Sequence, residues 1–215
     1  MILLQTDPIA PSIDVIALLM KGGIVMAVLL VLSMLALIVI MERLLFFGKN
    51  MKSSDAKLQK LATLISSGKS AEAQDLCASE KNSWGRVFTY AAMGDSSNPA
   101  EIDKLMEDAA NIEVGRLEKG LTYLSMIAGL APLLGFIGTI IGVINIFFSI
   151  SVSKDISIGV ISEGLYQKMV SSAAGLVVGI IAFSAYHLLQ NSIDGYVGKL
   201  QEQALALRMA LTKKK

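Results

Sequence analysis

The chain has 215 residues, of which 53% are hydrophobic and only 17% charged, with a formal net charge of +1. A soluble domain carries roughly a quarter charged residues, whereas here charges are missing from long windows, which is a membrane signature. The balanced charge, with no basic patch among aromatics, gives no ground for a nucleic-acid partner, and the single cysteine, Cys77, rules out a disulfide framework or cysteine metal site.

Residues 1–21 open on Met1-Ile2-Leu3-Leu4 without a basic stretch, so no cleaved signal peptide is expected. Within them Ile13, Ile16, Ala17 and Met20 recur at helical spacing behind Pro11 and Ser12, which predicts a short interfacial helix. Residues 22–47 form the first expected span, uncharged up to Glu42-Arg43. Residues 48–119 are polar and read as a helical loop domain. Leu58, Leu61, Ala62 and Ile65 mark a helix over 55–66, a second helix runs 70–79 after Gly68, and a third runs 84–93. Residues 94–99 are a turn, and Pro99 suits the start of a new helix. No strong breaker follows between residues 100 and 150, which predicts one continuous helix of about 75 Å at 1.5 Å per residue.

The second span is expected at 120–151, a short loop at 152–160, the third span at 161–193 and a C-terminal helix with a basic tail at 194–215. Backbone groups in lipid must be satisfied internally, so the spans are helices. The fold class is therefore an all-α polytopic membrane protein with three transmembrane helices. The second and third outrun the roughly 30 Å hydrocarbon layer and extend into the cytoplasm. Arg43, Lys49, Lys52, Lys57, Lys60, Arg116 and Lys119 crowd the loop domain's ends, against Lys21, Lys154 and Lys168 on the other side. Lys/Arg near membrane ends marks the cytoplasmic side. The N-terminus is then outside, the loop domain inside, and the tail with Lys213-Lys214-Lys215 inside.

Ser125, Ala128, Pro132, Gly135, Thr139 and Gly142 are spaced three or four apart and share one face of the second span. Ser172, Gly175, Gly179 and Ala182 do the same in the third, with Lys168 and Tyr186 extending the stripe. Small residues let membrane helices pack closely, so each stripe alone reads as packing. Two matched stripes, each with a hydroxyl, point instead to a narrow, weakly polar passage. No Asp or Glu lies inside any span, and Glu42 and Glu163 are at the edges. A proton relay usually needs an ionisable group in the membrane, so a titrating carboxylate would have to come from another chain. His187, about 27 Å along the helix from Met169, reads as interfacial. No Walker A, G-x-S-x-G or H-E-x-x-H motif is present, so no enzyme is expected.

The run Ala131-Pro132-Leu133-Leu134-Gly135-Phe136-Ile137-Gly138-Thr139-Ile140-Ile141-Gly142 closely resembles the second-span signature of the ExbB/TolQ/MotA family. Arg116-Leu117-Glu118-Lys119-Gly120-Leu121 looks like its approach to that span, and Ser171-Ser172-Ala173-Ala174-Gly175-Leu176 resembles its third-span motif. Three spans fit the ExbB/TolQ branch. The resemblance implies a homopentamer in the bacterial inner membrane, enclosing two helices of an ExbD/TolR-like single-span partner that brings the aspartate. It implies a stator that uses proton-motive force to work on a TonB- or Tol-type client through a TonB- or TolA-like transducer, with membrane lipid around it. No cofactor or metal is implied; the proton is the coupling ion, with sodium left open. The family's pore threonines map to Thr139 and Ser172, with Ser171 adjacent. Pro132, Gly135, Gly142, Gly175 and Gly179 fall on the pore face, and Glu163, Gln167 and Lys168 at its mouth. The family's glutamate five residues before the third-span hydroxyl is Gln167 here. Two other readings stand beside this one: a passive oligomeric scaffold, and a secondary transporter, for which three spans are few.

Overall fold

A computed structural model describes residues 23–94, 99–153 and 158–212. The described residues form seven helices. In chain order they are α1 (Gly23–Asn50), α2 (Asp55–Ser66), α3 (Ser70–Ser79), α4 (Ser83–Met93), α5 (Pro99–Glu118), α6 (Leu121–Ser153) and α7 (Ile158–Thr212). Three of them, α1, α6 and α7, are long and apolar enough to cross a membrane. At 55 residues, α7 is about 82 Å long, far more than the hydrocarbon layer can hold. The expected interfacial helix within 1–21, the turn at 95–98, Lys154 and the basic tail lie outside the described residues.

Local chemistry sets the helix ends. Gly68, at φ +74°, closes α2: its N–H donates to Ile65 O, and the Lys69 N–H reaches back to Leu64 O, both at 3.0 Å. This is the glycine-terminated C-cap that satisfies orphan carbonyls. Asn82 caps α4 by accepting from the Gly85 N–H at 2.9 Å. One expectation is corrected. The helix predicted to run unbroken over residues 100–150 is two helices, parted at Lys119-Gly120, where Gly120 takes φ +94°. Arg43 holds the break. Its guanidinium donates to the carbonyls of Arg116 and Leu117 at 3.3 and 3.4 Å, and to both carboxylate oxygens of Glu42 at 2.5 Å. A basic group on the last carbonyls of a helix is favourable. The loop expected at 152–160 is shorter, since α6 runs to Ser153 and α7 starts at Ile158. No helix boundary marks residue 194.

The chain divides into two compact units, one of Met1–Ala36 with Met126–Phe183, the other of Leu37–Ser125 with Ser184–Lys215. The second is built around Trp84 and Phe88, fully buried with stacked rings 4.8 Å apart, among Leu61, Cys77, Ala91 and Leu207. Burial pushes the Cys77 thiol up to about 12, with the Glu80 charge adding to the effect. It therefore packs as an unreactive small hydrophobe. Polar groups within this core are paired. Trp84 Nε1 donates to Gln203 Oε1 at 2.9 Å, and Gln203 Nε2 donates to Asp55 Oδ1 at 2.7 Å. This chain joins α4, α7 and α2. Arg86 grips the buried Glu113 carboxylate through Nε at 2.8 Å and its Nη2 at 2.6 Å, and Arg116 adds a third bond at 2.6 Å. Arg86 also reaches Asn50 Oδ1 at 3.2 Å.

Burial alone would raise the Glu113 carboxyl, but the hydrogen bond and charge of Arg86, the Ser83 hydroxyl and the Arg116 charge outweigh it and hold it below 4.5. A carboxyl depressed in the folded state stabilises fully above its unfolded value, and that stability is lost as pH falls through the folded value. We therefore expect thermal midpoints followed by circular dichroism to drop as pH is lowered from about 4.5. In Glu113→Gln the midpoint at neutral pH should be lower and its acid dependence flatter. An unchanged acid limb in the variant would show that other carboxylates carry it.

Candidate functional site

The first unit brings α6 and α7 into contact along both small-residue stripes. A Cβ added at Gly175 would sit 2.5 Å from the Ala131 carbonyl oxygen and 3.1 Å from Gly135 Cα. One at Gly179 would sit 2.5 Å from Pro132 Cγ, and one at Gly135 3.0 Å from Ser172 Cα. At Gly138 it would meet Val25 of α1 at 3.2 Å, and at Gly142 it would overlap the aliphatic stem of Lys168. No larger residue fits these points without moving backbone or side chain, which is the packing role of small residues between membrane helices. Gly135, Gly142, Gly175 and Gly179 are therefore covered by the chain itself.

The other edge of the stripes stays open. Pro132, Phe136, Thr139, Met169, Ser172, Ala173 and Leu176 line a groove of about 460 Å³. Its walls carry two hydroxyls and no carboxylate. Thr139 Oγ1 faces two carbonyls, Gly135 O on its own helix and Lys168 O across the groove, each at 3.3 Å. These are long for hydroxyl hydrogen bonds, so the hydroxyl is weakly held and free to turn. Ser171 differs from its neighbour. It is fully buried, and its hydroxyl donates to Lys168 O at 2.8 Å on the side facing Gly138. The structure thus brings Thr139, Ser172 and Pro132 together in the groove and sets Ser171 between helices. Lys168 lies half-buried over Gly142, one turn from Ser172. Glu163 and Gln167 belong to α7, but their side chains lie outside the described residues. Sequence reasoning missed Phe136, Met169, Ala173 and Leu176 as groove walls. Phe136, Met169 and Leu176 are three or four residues from Thr139 or Ser172, a spacing that was there to be used, while Ala173 is the residue next to Ser172.

In the second unit His187, exposed on α7, meets the Tyr186 ring edge-on at 5.1 Å. Among the described residues, no group of three or more His, Cys, Asp or Glu is placed to hold a metal ion.

The sequence profile of the MotA/TolQ/ExbB proton channel family matches residues 80–202, more than half of the chain. The chain belongs to that family. It is similar to a biopolymer transport protein ExbB homolog of Methanothermobacter thermautotrophicus, 24% identical over 182 residues. That match covers 84% of this chain but 64% of the relative. The biopolymer transport protein ExbB-like 3 of Synechocystis sp. is 27% identical over 186 residues, 86% of this chain and 89% of its own. The Tol-Pal system protein TolQ of Haemophilus influenzae is 28% identical over 112 residues, 47% of this chain and 49% of its own. These matches place the chain in the ExbB/TolQ branch, a family of transport proteins and channels rather than of enzymes, and the three apolar helices make it a multi-pass membrane protein.

The family's span motif is thus, in this chain, first a packing device. Gly175→Leu should cost about 1–3 kcal/mol by forcing a side chain against backbone, read as a lower unfolding temperature in detergent. Gly195→Ala, where nothing lies within 4 Å of the added carbon, should instead raise stability by about 0.5–1 kcal/mol. Equal effects of the two would argue against the close α6–α7 approach.

Proposed function

We propose that the chain is the channel-forming stator subunit of a bacterial inner-membrane motor that couples proton-motive force to work on a TonB- or Tol-type envelope client. The observation that carries this reading is the groove, where Thr139 and Ser172 present hydroxyls from two spanning helices and no acid is present. A hydroxyl is both donor and acceptor. It can donate to a carboxylate and turn to accept from the same group once protonated. The carboxylate belongs to an ExbD/TolR-like single-span partner, two of whose helices stand inside a pentamer of this chain. Lysines and arginines around the loop domain support a cytoplasmic loop and C-terminus and a periplasmic N-terminus. Glu163, Gln167 and Lys168 then stand toward the outer mouth, where Gln167 takes the place of the family's usual acid and Lys168 follows it.

A second reading has its own observation. The glycine contacts alone would serve a passive scaffold that packs partner helices without conducting ions. The two readings part on chemistry against size. As a channel, Thr139→Val and Ser172→Val should each lower ion flux by about ten- to a hundredfold, the worth of one hydrogen bond to a charged group. Assembly should be intact by native mass spectrometry, which also reads the stoichiometry with the single-span protein. Flux is measured by a pH-sensitive dye in vesicles holding the copurified complex. Undiminished flux and client uptake in both variants would leave the scaffold standing.

A further inference from the structure

In the first unit, Lys168 is the single charged side chain described. Residues 23–36 and 126–153 contain no Asp, Glu, Lys, Arg or His. In 158–183 the other charged residue is Glu163, whose side chain lies outside the described residues. Lys168 belongs to a helix apolar and long enough to cross a membrane. A charge in such a helix is costly and is kept where it has a partner or a task. Among the described residues Lys168 forms no ion pair.

Its stem has a fitted seat. Contacts between α6 and α7 step in opposite senses along the two helices: Gly179 meets Pro132, Gly175 meets Gly135, and Lys168 meets Gly142. Gly142 is one turn beyond Thr139 on α6, and Lys168 is one turn beyond Ser172 on α7, so both stand at the same end of the groove. A Cβ added at Gly142 would overlap the lysine stem as far as Cε, at 2.6 Å. The stem therefore lies on bare α6 backbone, across the seam between the helices. A lysine reaching only for the lipid surface needs no glycine on its neighbour. One turn farther along, a Cβ at Gly164 would stand 2.8 Å from Ile146 Cδ1, so the seam past the lysine is apolar. The main chain of the same residue meets the groove directly: Lys168 O accepts from the Thr139 hydroxyl at 3.3 Å and from the Ser171 hydroxyl at 2.8 Å.

We infer that Lys168 is a seat for a carboxylate, its ammonium pairing with the partner's aspartate one turn beyond Thr139 and Ser172 and holding it in the charged form. The inference rests on the channel reading above. Within this unit α1 and α6 bring no titratable group to the lysine, and its titratable neighbours on α7 are Tyr166, which is exposed, and Glu163. The carboxylate then has two stations on this chain, charged against the ammonium and protonated between the hydroxyls. An opposite charge about 4–6 Å away lowers the pH at which a carboxylate takes up its proton by about one to three units. Lys168 is thus a positioning residue that sets the pH range of flux.

The test uses the copurified complex in vesicles, with wild type beside Lys168→Met, Lys168→Arg, Gly142→Ala and Thr139→Val. Two readouts are followed against pH. One is flux; the other is labelling of the partner's carboxyl by a hydrophobic carbodiimide, which reacts with the protonated form and is located by mass spectrometry. Lys168→Met keeps the stem and removes the charge, so both midpoints should rise by about one pH unit or more. Lys168→Arg should return them toward wild type, and Gly142→Ala, which unseats the stem, should raise them part of the way. Should Lys168→Met fail to assemble, the Gly142→Ala midpoints decide. Wild-type midpoints in Lys168→Met and Gly142→Ala, with flux blocked in Thr139→Val, would overturn this seat and leave the channel reading intact. Unmoved midpoints with a loss of stability in Lys168→Met only in vesicles containing phosphatidylglycerol would likewise overturn it, assigning the ammonium to lipid phosphate. Undiminished flux in Thr139→Val, with no carboxyl labelled in wild type, would remove the channel reading and this inference together.

Discussion

The approach of Gly175 to the Ala131 carbonyl oxygen, 2.5 Å from where a Cβ would stand, is the constraint on which the membrane unit turns. Lipid is as apolar as leucine, so two membrane helices gain nothing by hiding side chains from it, and close van der Waals contact has to hold them. Glycine at 135, 175 and 179 permits that contact. Once the backbones meet there, the edges of the stripes splay, and Thr139 and Ser172 face each other in the groove that remains. Packing and the open groove are therefore two edges of one arrangement, and the same spacing serves both.

The second unit obeys a different rule. Its three loop helices α2, α3 and α4 are short, and polar side chains are drawn into the core where each finds a partner. Glu113 is buried because two arginines and a serine meet it, and Gln203 because an indole and a carboxylate take its two ends. A pair or chain of this kind is strongly destabilised by removing one member, by about 3–5 kcal/mol where it is fully buried. It therefore fixes which helices associate. That is useful in a unit built from pieces as distant in sequence as Asp55 and Gln203.

Much of this was legible beforehand, and the misses have physical causes. The helices over 55–66 and 70–79 follow from apolar spacing and from Gly68, whose left-handed backbone ends the first of them. The small-residue stripes and the missing carboxylate were equally plain. Gly120 was not read as a break, since a lone glycine is tolerated inside helices. The break is met by Arg43, distant in sequence, whose guanidinium takes the carbonyls of Arg116 and Leu117 just before Gly120. Nor does spacing tell which edge of a stripe is covered. Ser171 and Ser172 are adjacent, yet about 100° of helix rotation puts one hydroxyl between helices and the other in the groove.

The burial of Trp84 has an optical corollary. It is the single tryptophan in the chain, so the protein's indole emission comes from one ring, stacked on Phe88 and hydrogen-bonded to Gln203 near the far end of α7. Loosening of that end from the loop helices would wet the indole and move its fluorescence to longer wavelength. The native chain thus contains an unlabelled gauge of how firmly its long helix is held as it works.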